Sequence, residues 1–224
     1  MKILKVNIAR AIWLFPLTEM NPQGKAIDSD LIEWLKKTYQ FAKYPAHAFD
    51  FDQDTKALAF AGGKFSAGHE NGKERYIALG LGLYKDGLVV NTESSTSDGE
   101  RFLAEVLESA AKEFNLALPE KIQKKLYFNE MDVRLDQSIS LLNPKLDNIA
   151  RRITELRTED SSLQFAFAGI TFLPQPEKQG AISGFALERK IGTDWSENRY
   201  NTKAPLQTDA HIQLLEEIES LLVL

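Results

Sequence analysis

The sequence predicts an α+β fold, mainly antiparallel sheet with helices packed on one face, and three observations carry that reading. Two β-rich runs flank Lys85-Asp86-Gly87, and Asp-Gly between apolar runs is a strong hairpin signal. Amphipathic segments follow Ser97 and Thr208 with apolar residues at helical spacing. The same order of segments then occurs twice along the chain.

Residues 3–15 alternate loosely as a first strand, and a loop with Pro16, Pro22 and Gly24 follows. Asp28 or Ser29 caps a helix with Leu31, Ile32, Trp34, Leu35 and Tyr39 on its apolar face, and Pro45 ends that region. Residues 57–62 read as a strand and 63–74 as a polar loop containing glycines. After the hairpin of 75–84 and 88–92, Ser97-Asp98-Gly99-Glu100 has the form of a capping box with Ser97 as N-cap. Its helix buries Phe102, Leu103, Val106, Leu107 and Phe114, and Pro119 closes this half.

The second half reads in parallel. Residues 126–135 form a strand, and Asn143-Pro144 opens a helix with Leu146, Ile149, Ala150, Ile153 and Leu156 on one face. Residues 163–173 and 181–191 read as strands. A long loop leads to Thr208, which caps a last helix with Ile212, Leu215, Ile218 and Leu222 inward. The C-terminal Leu221 to Leu224 run is expected to dock into the core.

Each half is therefore expected to be strand–helix–strand–strand–helix, with residues 1–119 and 120–224 as two similar halves or as one pseudo-twofold domain. Short matches in corresponding elements point to internal duplication. FAGGKF at 60–65 stands against FAGITF at 167–172, and LKVN at 4–7 against LYFN at 126–129. DGERFLAEVLES at 98–109 stands against DAHIQLLEEIES at 209–220, sharing the Asp, one Leu, two Glu and the final Ser.

Bulk properties narrow the function. The 224 residues include 43% hydrophobic and 26% charged, enough apolar material for a core without metal or disulfide staples. Cysteine is absent, which excludes thiol catalysis and cysteine-ligated metals and fits a reducing compartment. Lys5, Asn7 and Arg10 break the N-terminal apolar run, and no stretch reaches the length of a membrane span. A cytoplasmic protein without membrane contact is expected. With a net charge of −5 and basic residues in scattered pairs, general nucleic-acid binding is not expected.

Catalytic signatures fail one by one. Asp50, Asp52 and Asp54 alternate in HAFDFDQD and offer hard oxygen ligands, yet Thr55 and Ala61 stand where a calcium loop needs glycine and glutamate. On a strand such carboxylates share the solvent face. His47, His69 and His211 lack metal-ligand spacing, and His211 is expected at the surface of the last helix. Neither Ser66 nor Ser183 carries the surroundings of an activated nucleophile, and GHENGK at 68–73 lacks P-loop spacing. No cofactor is expected, and the chain leans away from being an enzyme.

The stretch Glu188–Pro205 remains. Long connections in compact domains are often functional, and this one gathers Arg189, Trp195, Arg199 and Tyr200, types enriched at interface hot spots. The expected function is that of a non-catalytic intracellular protein-binding module, such as an inhibitor, immunity-type protein, sensor or assembly factor. It would act through this aromatic–arginine loop on a protein partner, with homo-oligomerisation left open. The opposing bland reading folds Trp195 and Tyr200 back onto the sheet and pairs Arg199 with an acid. The alternative function is a metal-assisted hydrolase or transferase using carboxylates around Asp50–Asp54, with Asp50 and Asp52 as ligands.

Overall fold

A computed structural model describes residues 1–24, 28–47, 50, 56–156, 164–174 and 184–223. The elements are β1 (Lys2–Leu14), α1 (Asp28–Tyr39), β2 (Leu58–Glu70), β3 (Lys73–Tyr84), β4 (Gly87–Thr92), α2 (Thr96–Phe114), β5 (Lys124–Arg134), α3 (Lys145–Leu156), β6 (Gly169–Phe172), β7 (Phe185–Arg189), β8 (Arg199–Ala204) and α4 (Thr208–Ser220). The eight strands form an antiparallel sheet in the order β2-β3-β4-β1-β5-β8-β7-β6. The fold is thus mixed α+β with helices against sheet. No helix among the described residues is long and apolar enough to cross a membrane.

The chain divides into two compact units. The larger comprises Ile8–Asn129 with Leu206–Thr208, and the other Met1–Asn7, Glu130–Pro205 and Asp209–Leu224. In the larger unit β4 runs between β1 and β3, with Ala11 opposite Val90 and Leu81 opposite Val90 on its other side. Alternate residues of these strands, Ala11 and Trp13, Leu79 and Leu81, Leu88 and Val90, point into one core with Phe102, Leu103 and Val106 of α2. The Tyr39 ring of α1 stands edge-on to Phe102 at 5.0 Å, and Phe65 meets Phe102 from β2 at 5.4 Å. Such edge-to-face pairs add about 1 kcal/mol each beyond the area they bury.

In the second unit Met131, Val133 and Leu135 along and just beyond β5, Leu187 of β7, and Tyr200 of β8 are buried together with Leu215, Ile218 and Leu222. Leu222 docks while Leu221 and Val223 stay exposed.

Several elements differ from the sequence expectation. The polar segment 63–74 is no loop: β2 continues to Glu70 and turns at Asn71-Gly72, whose φ values of 51° and 75° fit a hairpin turn of the primed type. Alternation explains it, since Phe65 and Ala67 point inward between polar neighbours. The N-cap of α2 is Ser95 rather than Ser97, its side chain accepting the Asp98 N–H at 3.1 Å. Asp98 sits three residues on and is held by Arg75 at 2.6 Å, which places the acid at the spacing a capping motif needs. The presumed long loop contains β8, where Tyr200, Thr202 and Ala204 alternate inward. On α3 only Ala150 is buried, while Ile149, Ile153 and Leu156 are exposed. Residue 163 and residues 181–183, at the ends of two expected strands, lie outside the described residues.

Among the described residues each half of the chain contains a strand, a 3₁₀ turn, a helix, three strands and a helix in that order, and the second half carries a further 3₁₀ turn (Trp195–Glu197) between its last two strands. Gly87 and Arg199 open β4 and β8, and Thr96 and Thr208 open α2 and α4, so both separations equal 112 residues (199 − 87 and 208 − 96).

Candidate functional site

The residues singled out from the sequence meet at the β7–β8 connection of the second unit. Arg189 ends β7, Arg199 begins β8, and residues 190–198 make the tip between them. Lys190 N–H donates to Arg199 O at 2.9 Å and closes the base of the loop. Inside it, the Thr193 hydroxyl donates to Lys190 O at 2.9 Å. Asp194 caps the 3₁₀ turn Trp195–Glu197, accepting the Ser196 N–H at 2.8 Å and its hydroxyl at 2.6 Å. Those two donors hold the Asp194 carboxyl below the usual carboxylate range. Asn198 then adopts the left-handed conformation that reverses the chain into β8.

Arg189 is the clamp of this loop. Its guanidinium carbon lies 4.5 Å from the Trp195 ring centroid and 5.3 Å from that of Tyr200. One terminal nitrogen donates to the Tyr200 hydroxyl at 3.2 Å and to Asn198 Oδ1 at 3.4 Å, and the other to Asp194 O at 2.9 Å. A planar cation over two π faces, with both terminal nitrogens donating, is held in one place.

Tyr200 is 1% exposed, and its hydroxyl accepts the Ile139 N–H at 3.2 Å. It therefore supports the loop from below. Arg199 pairs with Glu197 at 3.5 Å. Trp195 is 53% exposed, and Ile191, which the sequence reading passed over, is 97% exposed. The only signal for Ile191 was an apolar residue next to Gly192 in a polar stretch, which by itself says nothing about presentation.

Beside the loop base lies a charged network. Lys190 pairs with Asp132, which also accepts from Asn7 at 3.3 Å and Asn201 at 3.4 Å, while Asn201 reaches Glu130 at 3.1 Å. Burial alone would raise the Asp132 pKa, but hydrogen bonds from Lys190, Asn201 and Asn7 outweigh it and hold the carboxyl low. Lys203 lies 3.7 Å from Glu130. The network satisfies its own members and leaves Lys190 tied down rather than extended.

The other candidates are not assembled. Asp50 is exposed, and its Oδ2 accepts the Ala46 N–H at 3.1 Å, as in a turn. Asp52, Asp54 and Ser183 lie outside the described residues. Among the described residues no group of three or more His, Asp or Glu is arranged to hold a metal ion. His211 is not at the surface but fully buried, its Nε2 at 2.9 Å from the Thr202 hydroxyl and its ring edge-on to Phe185 at 6.0 Å. No protein-family model matches the chain, and neither does any curated protein sequence.

Proposed function

We propose that this chain is a binding protein that engages a protein partner through the tip of the β7–β8 loop. The observation that carries this reading is the contrast within nine residues: Ile191 and Trp195 stand exposed, while Arg189, Asp194 and Thr193 fasten the backbone beneath them. A held aromatic side chain loses little conformational entropy on association, so its burial converts more fully into affinity. Arg189 and Tyr200 act as supports of Trp195, and Trp195 with Ile191 forms the contact surface. The net charge of −5 favours encounter with a basic partner.

Affinity capture from the native host, compared between the wild-type chain and Trp195→Ala or Ile191→Asp, tests this. Loss of the same captured protein in both variants supports the site. An unchanged set of captured proteins removes it. The recurring element order and the shared 112-residue spacing support a second proposal, that the chain arose by internal duplication. On that reading the Asp194-capped tip is the feature that sets the second copy apart from the two-residue Lys85-Asp86 turn of the first.

A further inference from the structure

The tip of the β7–β8 loop is fastened to a second short element. Leu135 N–H, just beyond β5, donates to Asn198 O at 3.0 Å. Ile139 N–H donates to the Tyr200 hydroxyl at 3.2 Å, and Arg189 donates to the same oxygen at 3.2 Å. One phenol oxygen thus joins the 3₁₀ turn Ile139–Leu142 to the arginine that holds Trp195. Both elements belong to the second unit, in the stretches 130–156 and 184–205, which are described without a break.

The turn is built on the same plan as the tip. Ser138 caps it, its hydroxyl accepting the Ser140 N–H at 3.3 Å and the Ser140 hydroxyl at 3.0 Å. Leu141 N–H donates to Ser138 O at 3.1 Å, and Asn143 N–H to Ser140 O at 3.3 Å. Ile139 is fully buried, whereas Leu141 is 49% exposed. As with Tyr200 and Trp195, a buried anchor holds a presented apolar side chain. A 3₁₀ turn rises about 2 Å per residue, so Leu141 lies within about one turn of the backbone that meets Tyr200.

Size decides that the tip does not act alone. It comprises the nine residues 190–198, whereas a stable protein–protein contact uses roughly 20–30 residues on each side. A contact confined to the tip would fall well short of that. We propose that the partner contact continues from the tip onto the turn Ile139–Leu142, with Leu141 as its third apolar contact, and that the partner is a protein with an apolar cleft. This rests on the partner-binding reading of the tip. A hairpin tip is convex, so its complement is concave: the cleft takes Trp195 and Ile191, and its lip covers Leu141. Both elements are held from below, so neither has to be ordered on binding. The indole is the anchor of such a contact, and Leu141 extends the area from which water is excluded around it.

The test takes the protein that the wild-type full chain captures from its host and Trp195→Ala does not, purifies it, and titrates it calorimetrically against the chain. Leu141→Asp is compared with the wild type and with Leu118→Asp, a control at a leucine 52% exposed in the larger unit. The expected Kd is unchanged in Leu118→Asp and raised about thirtyfold in Leu141→Asp, because the contact would bury the new carboxylate without a partner. Circular dichroism and Tm should match the wild type, since both leucines are exposed. Should Leu141→Asp fail to fold, Leu141→Ser takes its place, with a rise of about fivefold expected from the apolar area lost. A Trp195-dependent partner whose Kd is indifferent to Leu141 overturns this inference and leaves the tip reading standing. Capture that is indifferent to Trp195, or that yields only a second copy of this chain, removes both.

Discussion

His211 shows how much one buried side chain can carry. The Thr202 hydroxyl donates to Ala186 O at 2.9 Å, so toward His211 it must accept, which puts the imidazole proton on Nε2. Nδ1 is then a buried lone pair without a hydrogen-bond partner. Burial pushes the imidazole pKa from 6.5 down to about 4. Between those values the unfolded chain binds a proton that the folded chain does not, so stability is fully present above pH 6.5 and declines as pH falls toward 4. The slope is about 1.4 kcal/mol per pH unit, or about 3 kcal/mol across the window. Urea midpoints measured from pH 7 to pH 4.5 should follow that decline, and His211→Leu should flatten it. A wild-type midpoint constant over this range would contradict the assignment. At Arg189, lysine keeps the charge but loses the planar fork between Trp195 and Tyr200. Arg189→Lys should cost about 1 kcal/mol of stability and lower the fluorescence anisotropy of Trp195, measured with Trp13 and Trp34 replaced by phenylalanine in both proteins. Unchanged anisotropy would mean that Arg189 does not position the indole.

At the scale of elements, the two hairpins of the larger unit tolerate substitution to different degrees. Gly72 has φ of 75° and open space where a Cβ would stand, so Gly72→Ala should cost about 1 kcal/mol, the left-handed backbone being the whole penalty. Gly87 has φ of 155°, and a Cβ there would lie 2.2 Å from Trp13 O in the adjoining strand. Gly87→Ala must separate β4 from β1 and should cost several kcal/mol, about 3 or more. Chemical denaturation of the two variants side by side checks the ranking, and equal losses would refute it. The helices differ in a comparable way. α1 buries Ile32, Leu35 and Tyr39, whereas α3 leaves most of an equally apolar face exposed. Periodicity specifies that a helix has an apolar face, and burial of that face depends on the strands available beneath it.

At the scale of the whole molecule, stability depends on segments far apart in sequence. Within the larger unit the N-termini of α2 and α4 are joined by reciprocal bonds. Thr96 N–H donates to Thr208 Oγ1, and Thr208 N–H to Thr96 Oγ1, both at 2.9 Å. The Thr208 hydroxyl donates on to Asn129 Oδ1 at 2.9 Å, and Asn129 Nδ2 donates to Leu206 O. Thr96, Asn129 and Thr208 are buried, so a bond lost among their side chains finds no water to replace it. Asn129→Ala takes the acceptor from the buried Thr208 hydroxyl and the donor from the Leu206 carbonyl, and should cost about 2–4 kcal/mol. Its near-ultraviolet and far-ultraviolet unfolding curves should shift together if the network acts on cooperative unfolding. A loss below about 0.5 kcal/mol would show that it is not fully desolvated.

Local patterning was enough to determine the α+β class, the Lys85-Asp86-Gly87 hairpin, and the apolar faces of α1, α2 and α4. Each of these depends on residues within one or two turns of one another, where periodicity and turn chemistry act directly. At Asn71-Gly72 and across β8 the alternation is present in the sequence but masked by polar residues on the exposed side of each strand. Other features were decided by tertiary structure alone. Ser95 rather than Ser97 caps α2 because Arg75, from a distant strand, holds Asp98 at the matching position. His211 is buried because Phe185 and Thr202 cover it, and nothing in its own helix indicates that. Tyr200 is buried because β8 alternates where a loop would not, and Ile191 is exposed because it lies in the tip that joins β7 to β8. Burial of a side chain is set by what long-range pairing lays against it, and that pairing lies outside any local window of sequence.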